Sequence, residues 1–366
     1  VNPIVRWLPL AAAGIVLGVV GLATYMVAGT PGAVLPDDAD APVSSTRLPD
    51  TVSYTVEEGQ SAANIGNDLE VLGVIRSGRQ FESLVRLMGV GDRLSAGDYV
   101  FHIGASVPSI VQEIIVKDAV PVLRVTFPEG IRIEEMAVLA EEAGFGTAEE
   151  FLAAAETAQL PPGLAEDLPP TATLPEGQRL QGYLFPDTYI RPVGFTADQL
   201  VRLMIETMDE RFTPEMRAAA AARGLTTHQV LTLAAIVERE AVLPEERPLI
   251  AGVFFNRLRA GDLIGADPTV QFAASLDPES VALYGYWKKA LTILDLENPS
   301  PYNTRLFAGM PPGPITNPSL ASIEAVAYPE DTDYYYFVAN AVAADGSHKF
   351  AVTEAEHIRN IAEYGE

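Results

Sequence analysis

The stretch HQVLTLAAIVEREAV, residues 228 to 242, decides how the rest of the chain is read. Val230, Leu231, Leu233, Ala234, Ile236 and Val237 recur at helical spacing, and apolar residues circle this helix on nearly every side. A helix apolar all round belongs in a protein interior. It nevertheless carries two carboxylates. At ~100° per residue, Glu240 falls on the stripe of Leu233, Ile236 and Val237, whereas Glu238 points almost opposite, with Leu231, Ala234 and Ala235. Burial disfavours the charged carboxylate and raises its pKa, which suits a general acid working near neutral pH. The competing reading is a solvated acid at a helix end, or one paired with Arg239 or Arg247. Because the two carboxylates diverge, they cannot act on one bond from both sides. A two-carboxylate hydrolase would need its second acid elsewhere, and Asp267 and Asp187 are the candidates. The wheel alone does not choose between Glu238 and Glu240.

Downstream, PLIAGVFFNRLRAG (248–261) reads as a second buried helix, with Pro248 in its first turn and Gly261 past its end. Its core face is Leu249, Ile250, Val253, Phe254 and Leu258; Asn256 and Arg257 interrupt an otherwise greasy surface. Asp267 followed by Pro268 reads as an N-cap opening the helix PTVQFAAS, with direct chemistry by Asp267 as the alternative. Residues 297–320 hold six prolines and little room for regular structure, and loops of that length in compact domains tend to be functional. Tyr302, Asn303, Thr304 and Asn317 there offer hydroxyls and amides suited to sugar hydroxyls and N-acetyl groups; a rigid structural cover is the rival reading. DYYYFVANA and HKFAV form a hairpin around AADGS, followed by a helix capped by Thr353 with Glu356 three residues on.

Upstream, residues 7–29 (WLPLAAAGIVLGVVGLATYMVAG) carry no charge over the ~20 residues a bilayer-spanning helix needs, with a cleaved signal peptide and a buried core helix as the rival readings. Arg6 precedes the run and Asp37, Asp38 and Asp40 follow it, which places residues 1–6 inside the cell and the bulk of the chain outside. Residues 30–50, rich in Pro, Ser, Ala and Asp, read as a flexible tether. TVSYTV, SAANIGNDLEVLGVI, FESLVRLMGV, LSAGDYVFHI and VPSIVQEIIVKDA then give strand, helix, helix, strand and helix, a small α+β module over 51–118 that resembles a LysM-like fold, with a plain spacer domain as the alternative. Residues 119–366 continue as a mixed α/β region. The formal charge of −25, from 49 acidic against 24 basic residues, argues against nucleic acid. With no cysteine and four scattered histidines, neither metal nor cofactor is expected.

Six blocks in order, LQGYLFPDTY (180–189), AAIVEREA (234–241), ERPLIAGVFFNRLRAG (246–261), ADPTVQF (266–272), SPYNT (300–304) and GMPPGPITNPSLASI (309–323), resemble the endolytic murein transglycosylase, or YceG-like, family. The resemblance covers essentially the whole chain. It implies an α+β fold with an N-terminal transmembrane helix, a LysM-like module and a catalytic domain facing away from the cytoplasm on a single-pass membrane anchor. It also implies peptidoglycan glycan strands as substrate and cell-wall synthases as partners. The family's catalytic acid is the second of the I-[VI]-E-K-E-T block, which falls on Glu240 and leaves Glu238 supporting, with Asn256, Asp267, Tyr302, Asn303, Thr304 and Asn317 lining the groove. The implied reaction is cleavage of the MurNAc–GlcNAc β-1,4 bond to a 1,6-anhydro end. Three positions depart from the pattern: Ala241 for Thr, Gln181 for Glu and Arg305 for an aromatic. A tethered peptidoglycan-binding scaffold with lapsed catalysis is the alternative that Ala241 keeps open.

Overall fold

The computed structural model describes residues 51–115, 122–170 and 173–365. The anticipated membrane span at 7–29 and the tether at 30–50 lie outside them, as does the anticipated boundary at 118. Among the described residues no helix is long and apolar enough to cross a membrane.

The first part begins with β1 (Thr51–Val56), α1 (Ala62–Val71), α2 (Gly78–Met88), β2 (Gly97–His102) and α3 (Val107–Ile115). β1 and β2 pair antiparallel, Thr51 opposite His102 and Val56 opposite Gly97. Ser61 and Ser77 cap α1 and α2 by accepting backbone N–H groups at Asn64 and Gln80. The apolar faces close on a core of their own: Ile65, Leu69, Phe81, Val85, Tyr99, Phe101, Ile110 and Ile114. The two helices touch through glycines, since a Cβ on Gly78 would stand 2.4 Å from the Gly66 carbonyl oxygen. Neither backbone can retreat without parting the helices. We predict that Gly78→Ala destabilises this module by about 1–3 kcal/mol, the usual cost of overpacking. Hydrogen exchange should show the loss in residues 51–115 while protection of the later core is retained.

The second part runs β3 (Val122–Thr126), α4 (Ile133–Glu142), α5 (Ala148–Thr157), β4 (Thr188–Pro192), α6 (Ala197–Arg211), α7 (Pro214–Ala222), α8 (Thr227–Glu240), α9 (Arg247–Ala260), α10 (Asp267–Ala274), α11 (Pro278–Tyr284), α12 (Leu320–Ala327), β5 (Tyr336–Ala339), β6 (His348–Ala351) and α13 (Glu354–Tyr364). Where a mixed α/β region was anticipated, the strands among the described residues of this part form two antiparallel ribbons, β3 with β4 and β5 with β6. The chain is α+β, with helices supplying the core. The β4 sequence TYIRP has no strict alternation and ends in proline, so its strand character comes from pairing with β3. The two parts meet where β1 and β2 face the β3–β4 ribbon: Arg191 donates to Ser53 Oγ at 2.8 Å, and Arg124 pairs with Asp98.

α8 is the centre of the larger core. Thr226 caps it in a reciprocal box with Gln229, and Val230 through Val237 are all buried. It ends at Glu240, two residues short of the expected end, because Ala241 is extended and Pro244 follows closely. Phe254 of α9, Phe272 of α10 and Ile323 of α12 pack in the same core.

Candidate active site

The two acids of α8 have separate surroundings. Glu238, with 7% of its side chain exposed, points at the start of α12. Its Oε2 accepts from the Ser319 backbone N–H at 3.0 Å, from Ser322 Oγ at 2.6 Å and from Ser319 Oγ; Arg247 stands 3.4 Å from Oε1. The carboxylate thus meets the N-terminus of α12, with a cation beside it, and its oxygens are taken up by these donors. Glu238 is a structural tie.

Glu240 is half-buried and makes no hydrogen bond or ion pair among the described residues. It opens on a cavity of about 680 Å³ whose walls include Arg257, Asp267, Arg305, Tyr336 and His348. Burial pushes its carboxyl up from 4.5 to about 7; the Asp267 carboxylate adds to this, and Arg305, Arg257 and Arg239 oppose it. The C-terminal end of α8, where carbonyl dipoles point outward, disfavours the anion as well. At neutral pH a large share of the molecules therefore hold a proton ready for donation. Of the cations once considered as its partner, Arg247 belongs to Glu238, and Arg239 stacks over the Trp287 ring at 4.0 Å.

Asp267 and Arg305 form the cavity's charged edge. Asp267 does not cap α10: Ala266 occupies the N-cap position, Asp267 is the first helical residue, and its carboxylate accepts from Arg305 Nε at 2.6 Å. That pairing explains the departure at 305, where a cation supplies the counter-charge to Asp267. Asp187 is exposed, outside this cavity, and 3.9 Å from Arg211.

The anticipated sugar contacts from the proline-rich segment are corrected by burial. Tyr302, Asn303, Thr304 and Asn317 are each 1% exposed or less, so their polar groups face the protein. Tyr302 packs on Phe272 with centroids 4.6 Å apart. Asn303 donates to the carbonyls of Leu296 and Asn298 and accepts the Arg305 N–H, which sets Arg305. Thr304 Oγ1 accepts the Ala266 N–H at 3.1 Å and bonds Thr269 Oγ1, holding the strand of chain that carries Asp267. Asn317 accepts from Gly182 and Leu184 and donates to Ile131. Asn256 also turns away from Glu240, donating to the carbonyls of Thr332 and Tyr334 beside a separate surface pocket. A segment without helices or strands must satisfy its backbone through side chains, and this one spends its amides doing so.

Of the other two departures, Gln181 has a local explanation and nothing in the structure explains Ala241. Gln181 is buried, accepts the Ile133 N–H at 2.8 Å and donates to the Ile315 carbonyl at 2.8 Å. An ionised Glu could make only the first of these bonds. Ala241 is nearly buried in the turn after α8. His228 donates from Nε2 to the Pro312 carbonyl and so accepts the Tyr183 hydroxyl at Nδ1, 2.8 Å away; it anchors the proline-rich segment. Arg257 and His348 complete the cavity and were not picked out by sequence as site residues, although Arg257 stood out as a charge within an apolar helix.

A desolvated carboxyl opening on a cavity, free of internal partners and surrounded by arginines, is the arrangement an acid–base enzyme uses. The chain belongs to the YceG-like family, whose model matches residues 54–363. It is 29% identical over 324 residues to the endolytic murein transglycosylase of Bacillus subtilis, covering 86% of this chain and 85% of that protein. It is 30% identical over 330 residues to the endolytic murein transglycosylase of Streptococcus pneumoniae, covering 86% of this chain and 58% of that longer protein. A crystal structure of a YceG-like protein from Listeria monocytogenes superposes with a TM-score of 0.54 at 28% identity, over 85% of this chain and 99% of that one.

The raised pKa has a sign that can be measured. An acid whose folded pKa exceeds its unfolded value stabilises the fold fully below the unfolded value, and that contribution is lost as pH rises through about 7. Activity that needs the proton falls over the same range. Asp267→Asn removes the carboxylate that raises the Glu240 value and leaves Arg305 unneutralised, so both changes favour the anion. The alkaline limb of the rate profile is expected to move to lower pH in this variant; a limb that stays or rises would contradict the assignment of Asp267 as Glu240's electrostatic neighbour.

Proposed function

We propose that the chain is an endolytic murein transglycosylase, cutting the MurNAc–GlcNAc β-1,4 bond of peptidoglycan glycan strands and leaving a 1,6-anhydro-MurNAc end. The observation that carries this reading is the unpartnered Glu240 carboxyl, pushed up to about 7, opening on a cavity large enough for sugar residues. Glu240 donates its proton to the glycosidic oxygen as the bond to C1 breaks. Its carboxylate then serves the attack of the muramyl C6 hydroxyl on C1. The substrate supplies the nucleophile already held in place, so the protein needs only one carboxylate and no bound water. Membership of the YceG-like family and the names of the relatives support the same reaction.

Mass spectrometry of products from purified glycan strands tests the reading. Anhydro-muramyl ends support it, whereas reducing ends would mean that water is the nucleophile. No cleavage under any condition would favour a tethered scaffold.

The chargeless run at 7–29 supports placing the chain on the cell membrane with its catalytic part extracytoplasmic, where cell-wall synthases would be its partners. Residues 51–115, as a LysM-like module, would hold the glycan. Removing residues 1–29 is expected to shift the protein from the membrane pellet to the soluble fraction; continued sedimentation with membranes would remove the anchor from the proposal.

A further inference from the structure

A second titratable pair lies on the Glu240 cavity and is unused by the mechanism above. Glu246, in the turn between α8 and α9, is 8% exposed, and its two oxygens both address His348 at the start of β6. Oε1 accepts the His348 backbone N–H at 3.0 Å, and Oε2 lies 2.6 Å from Nδ1. The Phe337 ring meets the imidazole edge-on, with centroids 5.4 Å apart. Main chain, carboxylate and aromatic ring therefore fix this side chain in one orientation.

The carboxylate can only accept, so Nδ1 carries the proton, and in the neutral ring the lone pair sits on Nε2. Nε2 has no partner among the described residues, and His348 is one of the residues lining the cavity. A buried carboxylate that sets an imidazole's tautomer and leaves its other nitrogen open to a cavity is the arrangement by which histidines accept protons from hydroxyls.

We infer that His348 is a second catalytic residue, whose Nε2 receives the hydrogen bond and then the proton of the attacking C6 hydroxyl, with Glu246 as its positioning residue. The inference rests on the transglycosylase reading and divides its proton traffic between two groups. Until the glycosidic bond breaks, the Glu240 carboxyl is committed to holding its own proton. Asp267 is bound to Arg305, and Asp262 and Glu354 are exposed at the margin of the cavity. His357 also lines the cavity, but its buried Nδ1 has no partner among the described residues, so His348 is the imidazole whose tautomer a carboxylate sets. The C1–O4 bond breaks first, because the C6 arm reaches C1 only on the face that the leaving oxygen occupies, and O6 then forms the C1–O6 bond on the vacated face. The Glu240 proton goes to O4 of the leaving sugar, and the C6 hydroxyl proton goes to Nε2. Imidazolium and carboxylate then face one cavity, and passage of that proton to Glu240 restores both groups with no oxidant, reductant or water consumed.

His348→Asn tests this in the full chain with purified glycan strands. The Asn amide sits where Nδ1 sat and still donates to Glu246, but nothing occupies the Nε2 position. Rates are to be taken well below the variant's own melting temperature, so that a loss of stability does not enter them. The inference expects kcat to fall by about 10²-fold or more with KM little changed. A kcat within about threefold of the parent, or a change confined to KM, would overturn it. Glu246→Gln, whose amide oxygen still accepts from Nδ1, is expected to retain far more activity than His348→Asn, and equal losses would mean that the pair serves only the fold. If the unmodified protein yields no anhydro ends, the parent reading has failed. If it yields them, Glu240→Gln does not, and His348→Asn matches the parent, only the inference has failed.

Discussion

Glu240→Gln is expected to lower kcat by about 10²- to 10⁴-fold, the range a positioned general acid contributes, while leaving the protein folded and no less stable than the parent. The substitution is close to isosteric and keeps the hydrogen-bonding outline, but an amide has no proton to give at neutral pH. No partner inside the protein is deprived, because Glu240 has none among the described residues. Relieving a carboxyl pushed up to about 7 should even favour the fold above that pH, since the amide has no charge to desolvate. Thermal melts at pH 6 and pH 8 check this directly. The parent should lose stability relative to the variant as the pH rises. A variant that keeps its activity would remove Glu240 from the chemistry.

Glu238→Gln is expected to do the reverse. The new amide would press its N–H donors against a cluster of donors, or leave Arg247 without its counter-charge; either way a buried network loses its acceptor. Breaking one member of a buried charge pair costs about 3–5 kcal/mol, here with Ser319, Ser322 and Arg247 all affected. The melting temperature should fall well below that of Glu240→Gln. Turnover measured on protein that is still folded should stay near the parent's. If Glu238→Gln abolishes turnover at full stability, the roles of the two acids have been exchanged.

Periodicity showed a great deal of this in advance. The apolar ring around α8, the Pro248-to-Gly261 frame of α9 and the Thr353–Glu356 box before α13 each follow from local rules, and the structure places the helices there. The divergence of Glu238 and Glu240 also followed from helix geometry, and each now has the separate surroundings that divergence required. The proline-rich segment was another matter. Its hydroxyls and amides have the chemistry of sugar ligands, but sequence does not record which way a side chain turns in a stretch without a period. Burial decided it: these groups bond the backbone that folds back on them. Asp267 was misread for a related reason, since Asp-Pro satisfies the pattern of a cap while an arginine 38 residues away claims the carboxylate. His348 gave no signal at all, because its value lies in contact with Glu246, 102 residues earlier.

The cavity around Glu240 takes one wall from β5, β6 and α13, residues 336–364. During synthesis α8 emerges from the ribosome well before that wall does. A nascent chain, or one interrupted before residue 336, carries the acid without one wall of its cavity, and its carboxyl should titrate lower than in the complete fold. An enzyme able to cut the wall that contains the cell's pressure thus stays harmless until its final segment has folded back, and prematurely terminated copies are expected to be inert.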